Sequence, residues 1–296
     1  MREIIIPSRL SFDTSHELTS MMYDDLGLLS DNEYVFNFKD LTFIEPSGVV
    51  SLANCAEFLN LNGKKTYFSG HDHGRACIDY LDDSGFFELY LSKKLRSCAH
   101  VRSTTVPLQR VAWDYSHFWL DNKFLTWLSS RLNMPERSLS SIKTCLSEVF
   151  NNIRDHSGQN IGCIYMQHFP KKNEIVISIS DFGVGIPNTI RRMYPNKNID
   201  AEAIKLATQD TYTSQSVRGN RGAGLDILIR NVVDINRGRI YVASAFGNLL
   251  CYPTEGEANR HPRQMQGYYP GTLIEVRLKT DTIVADEDED EDEFQW

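Results

Sequence analysis

A mixed α/β layer followed by an α+β sandwich is the fold class this 296-residue sequence predicts. Three observations lead there. Short apolar runs alternate with helical patterns through the first third, as in a layer of helices against a sheet. Long amphipathic helices followed by apolar strands fill the remainder. Between them, Ser92–Thr105 is rich in Lys, Arg and Ser and reads as connecting chain. The length suits two medium domains. The expected division is 1–95 for the first domain, 96–113 for a linker, 114–280 for the second domain and 281–296 for an acidic, disordered tail.

In the first domain, Glu3 to Pro7 reads as a strand, and Ser15 to Leu26 as a helix capped by Thr14 or Ser15. Tyr34 to Phe38 is a second strand. Phe43 to Ser47 turns into a helix carrying Val49, Val50, Leu52, Ala53, Ala56 and Leu59, and Asn62-Gly63 ends it. Lys65 to Phe68 resumes a strand and Gly74 to Leu81 a helix. In the second domain one helix carries Phe118, Leu120, Phe124, Leu125 and Leu128, and another runs from Leu139 to His156. Strands follow at Cys163 to Phe169 and Ile175 to Ser180. After a polar stretch from Asn188 to Gln215, a helix over Leu225 to Asn236 precedes strands at Arg239 to Ala245 and Thr272 to Leu278. Helices on one face of a largely antiparallel sheet result.

Charge and cysteine content exclude several classes. The net charge of −8 is accounted for by the eight consecutive carboxylates from Asp286 to Glu293, leaving 31 acids against 31 Lys and Arg in the rest of the chain. No basic excess favours nucleic acid, and the acidic run cannot pack, because its charges repel. The six cysteines are scattered without a CxxC pair, so reduced thiols in a cytoplasmic protein are expected. The N-terminus lacks signal-peptide character, and no apolar run approaches the ~20 residues that span a bilayer. His71-Asp72-His73 has no third ligand at useful spacing and reads as a solvated turn.

Three segments carry chemistry. In Glu148-Val-Phe-Asn-Asn152-Ile-Arg-Asp-His156, Glu148 and Asn152 are four apart and neighbours on one helix face. They stand beside an inward stripe of Ile142, Cys145, Leu146, Val149 and Ile153. An amide oxygen there can ligate Mg²⁺ and a carboxylate can orient a hydroxyl, although an exposed pair on a helix is the plainer reading. In Asp181-Phe-Gly183-Val-Gly185-Ile-Pro187, an acceptor-only carboxylate ends an apolar strand and suits the amino group of adenine. Gly183 and Gly185 permit positive φ and close approach of a base, while an ordinary turn would use the same residues. In Arg218-Gly219-Asn-Arg221-Gly222-Ala-Gly224-Leu225, glycines before a helix expose N–H groups to an anion. The segment lacks the GxxxxGK[ST] lysine, and no strand precedes it.

In order and spacing these segments resemble the N, G1 and G2 boxes of the GHKL ATPase superfamily, which includes gyrase, heat-shock chaperone ATPases, histidine kinases and anti-sigma serine kinases. Gly271-Thr272 resembles its further Gly-Thr element, whose Thr helps hold adenine. The resemblance covers about Asp114 to Lys279 and implies a Bergerat-fold α/β sandwich that binds ATP and Mg²⁺. It implies Glu148 as general base, Asn152 as Mg²⁺ ligand and Asp181 as adenine acceptor, with Gly183 and Gly185 shaping the base pocket. Gly219, Arg221, Gly222 and Gly224 would surround the phosphates, and Asn188 to Asn220 would form a mobile lid. Arg221 inside a Gly-Ala-Gly ending departs from the family pattern. His156 matches a position often His in kinase-like branches, and a helix-end role suits it equally.

Residues 1–95 are similar to STAS domains, on Phe43-Ile-Glu45-Pro46-Ser47-Gly48-Val-Val. In phosphorylated members a Ser lies just before a Gly here, so Ser47 is a candidate phosphoacceptor or a helix cap. The functional expectation is a Mg²⁺-dependent ATP-binding regulatory protein, with an ATPase or lid-closing switch acting on a protein partner or a second copy. One alternative is a serine protein kinase acting on Ser47 or on a partner STAS domain. Another is a non-enzymatic, nucleotide-dependent scaffold. A histidine kinase is disfavoured because no helical hairpin with a phosphoacceptor His precedes the ATPase half.

Overall fold

The structure, a computed structural model, describes residues 1–156, 158, 161–209 and 224–286. In the first third the chain runs β1 (Arg2–Ile5), β2 (Arg9–Leu10), α1 (Ser15–Ser20), β3 (Glu33–Asn37), β4 (Phe43–Ile44), α2 (Pro46–Leu61), β5 (Lys65–Ser69), α3 (Ala76–Asp83) and α4 (Phe86–Leu91). Strands β1, β3 and β5 form a parallel three-stranded sheet with β3 in the centre. The pair β2–β4 is a separate parallel ladder.

The rest comprises β6 (Thr105–Ala112), α5 (Trp113–Trp119), α6 (Thr126–Leu132), α7 (Ser140–His156), β7 (Ile161–Phe169), β8 (Glu174–Asp181), α8 (Ile186–Met193), α9 (Asp200–Ala207), α10 (Gly224–Ile229), β9 (Arg239–Tyr252) and β10 (Asn259–Lys279). A π-helical segment, Leu120–Leu125, joins α5 to α6, and another, Arg230–Ile235, extends α10. The five strands form one antiparallel sheet in the order β6-β7-β8-β10-β9.

Both faces of this sheet are buried, and period-two alternation decides which residue faces which side. On one face Ile175, Ile177 and Ile179 of β8 and Ile274, Val276 and Leu278 of β10 meet the apolar stripe of α7 and Leu228 and Val232. The predicted stripe Ile142, Cys145, Leu146, Val149 and Ile153 is buried throughout. On the other face Tyr165, Tyr269 and Leu273 join the core of the first third of the chain.

Helix α2 is what joins the two. All its residues except Phe58, Asn60 and Leu61 are buried. It lies across β7 and β8 on one side and against β5 on another. A helix enclosed around nearly its whole circumference is a central element of the core, and this one, which buries Ser47, Ser51, Asn54 and Glu57 among its apolar residues, is shared by two sheets. Gly48 is part of that packing: a Cβ there would lie 2.4 Å from the Leu10 carbonyl oxygen. Charged anchors cross the same boundary, with Arg277 paired to Glu45 at 3.1 Å and Arg110 to Glu57 at 3.3 Å.

Several elements differ from the sequence expectation. Strand β6 occupies the C-terminal part of the stretch read as linker 96–113. Pro107 disguises it in the sequence, yet a proline is tolerated on an edge strand, and the register shifts between Val106 and Gln109 where it sits. Helix α1 stops at Ser20, well short of Leu26. Helix α9 and most of α8 lie inside the polar stretch Asn188 to Gln215, packed on each other through Ile190, Ala203 and Leu206, with α9 also packed on β9 and β10. The β9–β10 hairpin extends well beyond the strands expected. Residues 281–286, read as the start of a disordered tail, are fixed: Asp286 accepts from Ser140 Oγ at 2.7 Å and the Ser141 N–H at 2.8 Å, closing the N-terminus of α7. The remaining tail, 287–296, lies outside the described residues.

A fragment spanning 96–286 is expected to expose Tyr165, Tyr269 and Leu273, to enhance the fluorescence of a hydrophobic naphthalene dye, and to self-associate. A monomeric, dye-silent fragment in sedimentation and fluorescence experiments would contradict a shared core.

Candidate functional site

The site begins where the apolar floor of the sheet ends. Within the sheet, Ile179, Ile274 and Val242 form one row across β8, β10 and β9 on the α7 face. Two residues further along each strand the row becomes Asp181, Thr272 and Ser244, because Thr272 pairs with both Asp181 and Ser244. Alternation directs this polar row to the same side as the isoleucines.

Asp181 is buried, with 7% exposure. Its Oδ1 accepts from the Gly183 N–H at 2.8 Å, and hydrogen bonding with Thr272, its partner on β10, also lowers its pKa. Burial pushes its pKa up to about 6, against the lowering effect of those hydrogen bonds. A carboxylate offers about four acceptor positions. The Gly183 N–H occupies one of them.

Tight backbone approaches fix this corner. Gly271 has φ 73°, and a Cβ there would lie 2.3 Å from the Asp181 carbonyl oxygen and 2.8 Å from its Oδ1. Gly185 has φ 79°, and its Cβ would lie 2.7 Å from Ser244 Oγ. Ser244 Oγ donates to the Gly271 carbonyl at 2.6 Å and accepts from the Ile186 N–H at 3.0 Å, tying β9 to both glycines. Sequence reasoning missed Ser244, which reads there as one residue of a core strand. Gly183 is not among the glycines with positive φ, contrary to expectation. Its contribution is the N–H it gives Asp181.

Helix α7 brings the second group. Ile153 packs on β7 at Gly162, where a Cβ would lie 2.8 Å from Ile153 Cδ1 and 3.5 Å from the Ser180 carbonyl oxygen. Asn152 therefore sits one residue from a contact beside the end of β8. Glu148 and Asn152 are half-buried. Both meet Gly224 at the start of α10: its Cβ would stand 3.2 Å from Asn152 Nδ2 and 3.3 Å from Glu148 Oε2. The Asn151 amide donates to Glu148 at 3.4 Å and accepts from Trp113 Nε1 at 3.1 Å, a neighbour the sequence did not single out.

The structure thus brings Asp181, Gly183, Gly185 and Thr272 to one corner of the sheet, and Glu148, Asn152 and Gly224 to the helix beside it. Gly219, Arg221 and Gly222 lie outside the described residues, as do the side chain of His156 and the 210–220 part of the expected lid. The 188–209 part is held in place: Arg191 pairs with Asp200, and the Phe246 N–H donates to Asp200 at 2.8 Å.

Ser47 lies away from this corner. It is fully buried on α2 beside Glu275, on the opposite face of the sheet. Glu45, not Ser47, is the N-cap residue of α2. As a phosphoacceptor Ser47 is out of reach while α2 covers the sheet. His71 stacks on Phe87 with ring centroids 5.5 Å apart, so its loop is less solvated than expected. Among the described residues no group of three or more His, Cys, Asp or Glu is placed to hold a metal, and no helix is long and apolar enough to cross a membrane.

Comparison with known proteins finds no matching family profile and no matching curated protein. Among solved structures, the B subunit of DNA gyrase from Myxococcus xanthus aligns with a TM-score of 0.27 and 9% identity, over 48% of this chain and 38% of that one. At that TM-score the likeness carries no argument about fold or activity.

Gly271→Ala is expected to destabilise the protein by more than about 1 kcal/mol in urea denaturation, because a side chain would meet Asp181 at a positive φ. The pH dependence of Asp181 has a definite sign. A folded pKa above the unfolded value of 3.8 means that the native state holds the proton more tightly, so its contribution to stability falls as pH rises from about 4 to 6. The stability of Asp181→Asn relative to wild type should therefore increase across that window, by about 1–3 kcal/mol, and level off above it.

Proposed function

We propose that this chain binds ATP with Mg²⁺ and uses the nucleotide to control a protein partner. What supports the reading is that segments around 148–152, 181–185, 224 and 271–272, far apart in the chain, lie along one end of one sheet face. The acceptor-only carboxylate of Asp181 suits an adenine amino group, with Thr272 beside it on β10. Gly185, packed closely against Ser244 and Gly271, fixes the strand ends beside which a flat base would lie.

Asn152 offers an amide oxygen, a suitable Mg²⁺ ligand, and the half-buried Glu148 carboxylate suits orientation of an attacking water. Mg²⁺-ATP supplies a polarised terminal phosphoryl group. Arg221 and the glycines at 219, 222 and 224 are assigned to the phosphates on the sequence pattern. In this reading the C-terminal part is a Bergerat-type ATP-binding domain of the GHKL kind, beginning at β6 instead of residue 114. The first 95 residues are a STAS-like regulatory half. ATP shifts the protein toward a closed state through its higher affinity for that state, and slow hydrolysis resets it.

Calorimetric titration with a non-hydrolysable ATP analogue tests the assignment. Binding is expected for wild type and should weaken without Mg²⁺. Asp181→Asn should lose at least tenfold in affinity, since a hydrogen bond to a charged group is worth about 1.5–3 kcal/mol. Glu148→Ala should keep binding and lose phosphate release. Unchanged affinity in Asp181→Asn would remove the adenine site, and a mass gain of one phosphate on the protein itself would replace hydrolysis by phosphotransfer.

A further inference from the structure

The strand that carries Gly271 and Thr272 is gripped, on its other face, by the first third of the chain. Asn54 of α2 donates its amide to the Pro270 carbonyl at 3.1 Å, one residue before Gly271. Ser51 of α2 lies 3.4 Å from the Tyr269 hydroxyl, which lies 3.0 Å from Ser180 Oγ. Ser180 Oγ in turn donates to the Asp181 carbonyl at 3.1 Å. Helix α1 holds the preceding residues: Thr19 donates to the Tyr268 carbonyl, the Tyr268 N–H donates to Ser20 Oγ at 3.1 Å, and a Cβ at Gly267 would lie 2.5 Å from that oxygen.

All four side chains of the inner chain are buried: Ser51, Asn54 and Tyr269 at 0% and Ser180 at 1%. Apolar residues would fill such a junction without desolvating any polar group. A polar chain in a low-dielectric interior fixes direction and register instead, because each group it leaves unpaired is penalised. Here the register it fixes is that of Pro270-Gly271-Thr272 against Ser180-Asp181. The register of these two strand ends sets the distance from the Gly271 backbone to the Asp181 carboxylate.

From this we infer that Asn54 and Tyr269 are positioning residues for the nucleotide corner, so that α2 controls the geometry of Asp181 without touching a ligand. The inference rests on reading Asp181 as the nucleotide acceptor, but the geometric control stands independently of it. A movement of α2, by a partner docking on the first third of the chain, is passed to Gly271 and Asp181 through these hydrogen bonds. The reverse also holds: a ligand that orders Asp181 tightens the hold of β10 on α2, since coupling is reciprocal.

Amide exchange in the nucleotide-free full chain provides the test. Asn54→Leu and Tyr269→Phe should raise exchange at Gly183 and Thr272 at least tenfold over wild type. Leu59→Ala, a cavity in the same helix away from β10, serves as the control at a matched loss of Tm and should leave those amides within about twofold. In calorimetry with the ATP analogue and Mg²⁺, Asn54→Leu should bind at least tenfold more weakly, and Leu59→Ala near wild type. Unchanged exchange in Asn54→Leu and Tyr269→Phe, or equal acceleration in Leu59→Ala, overturns the inference. Wild-type protein that fails to bind the analogue overturns the proposed function, while the exchange data decide the positioning role alone.

Discussion

Everything in this protein depends on the register of β8, β10 and β9. That register stacks the isoleucine and valine rows that anchor α7, and it also places Asp181, Thr272 and Ser244 side by side where the apolar rows stop. A slip of one residue on β10 would turn Thr272 to the α2 face and bring Leu273 opposite Asp181. The same two-residue period that builds the core therefore sets the chemistry of its edge.

The sheet is buried on both faces, and this distinguishes it from a sheet that simply carries helices on one side. Helix α7 and the α10 segment cover one face, and α2 covers the other. Tyr269 and Leu273 belong to the core built around α2, while Thr272 and Ile274, their neighbours on β10, face α7. Adjacent residues of one strand thus report to different halves of the chain. An interior packed this closely transmits displacement instead of absorbing it, which gives the two halves a physical reason to act together.

Asp181 shows how the site meets the demands of folding. Burying a carboxylate is unfavourable, and its pKa rises accordingly to about 6. The Gly183 N–H holds it in place, and Gly271 can approach it so closely only because it has no side chain. Glu148 and Asn152 on α7 are less buried; helical spacing aligns them, and Gly224 lies so near that a methyl group there would crowd both.

The sequence by itself determined the helix of Glu148 and Asn152, the strand that ends at Asp181, and the positive φ of Gly185. These are local properties: a helical stripe, an apolar run, a residue lacking Cβ. It did not reveal β6, because Pro107 argues against a strand unless the strand is known to be an edge. It hid α8 and α9, whose few apolar residues find their partners in each other and on the β9–β10 hairpin. Only the tertiary structure decided that α2 is shared between two sheets, that Ser47 is enclosed there, and that Ser244 joins the Asp181 corner. Each of those facts depends on which strands become neighbours, and pairing between distant segments is settled by collective packing that no single stretch of sequence encodes.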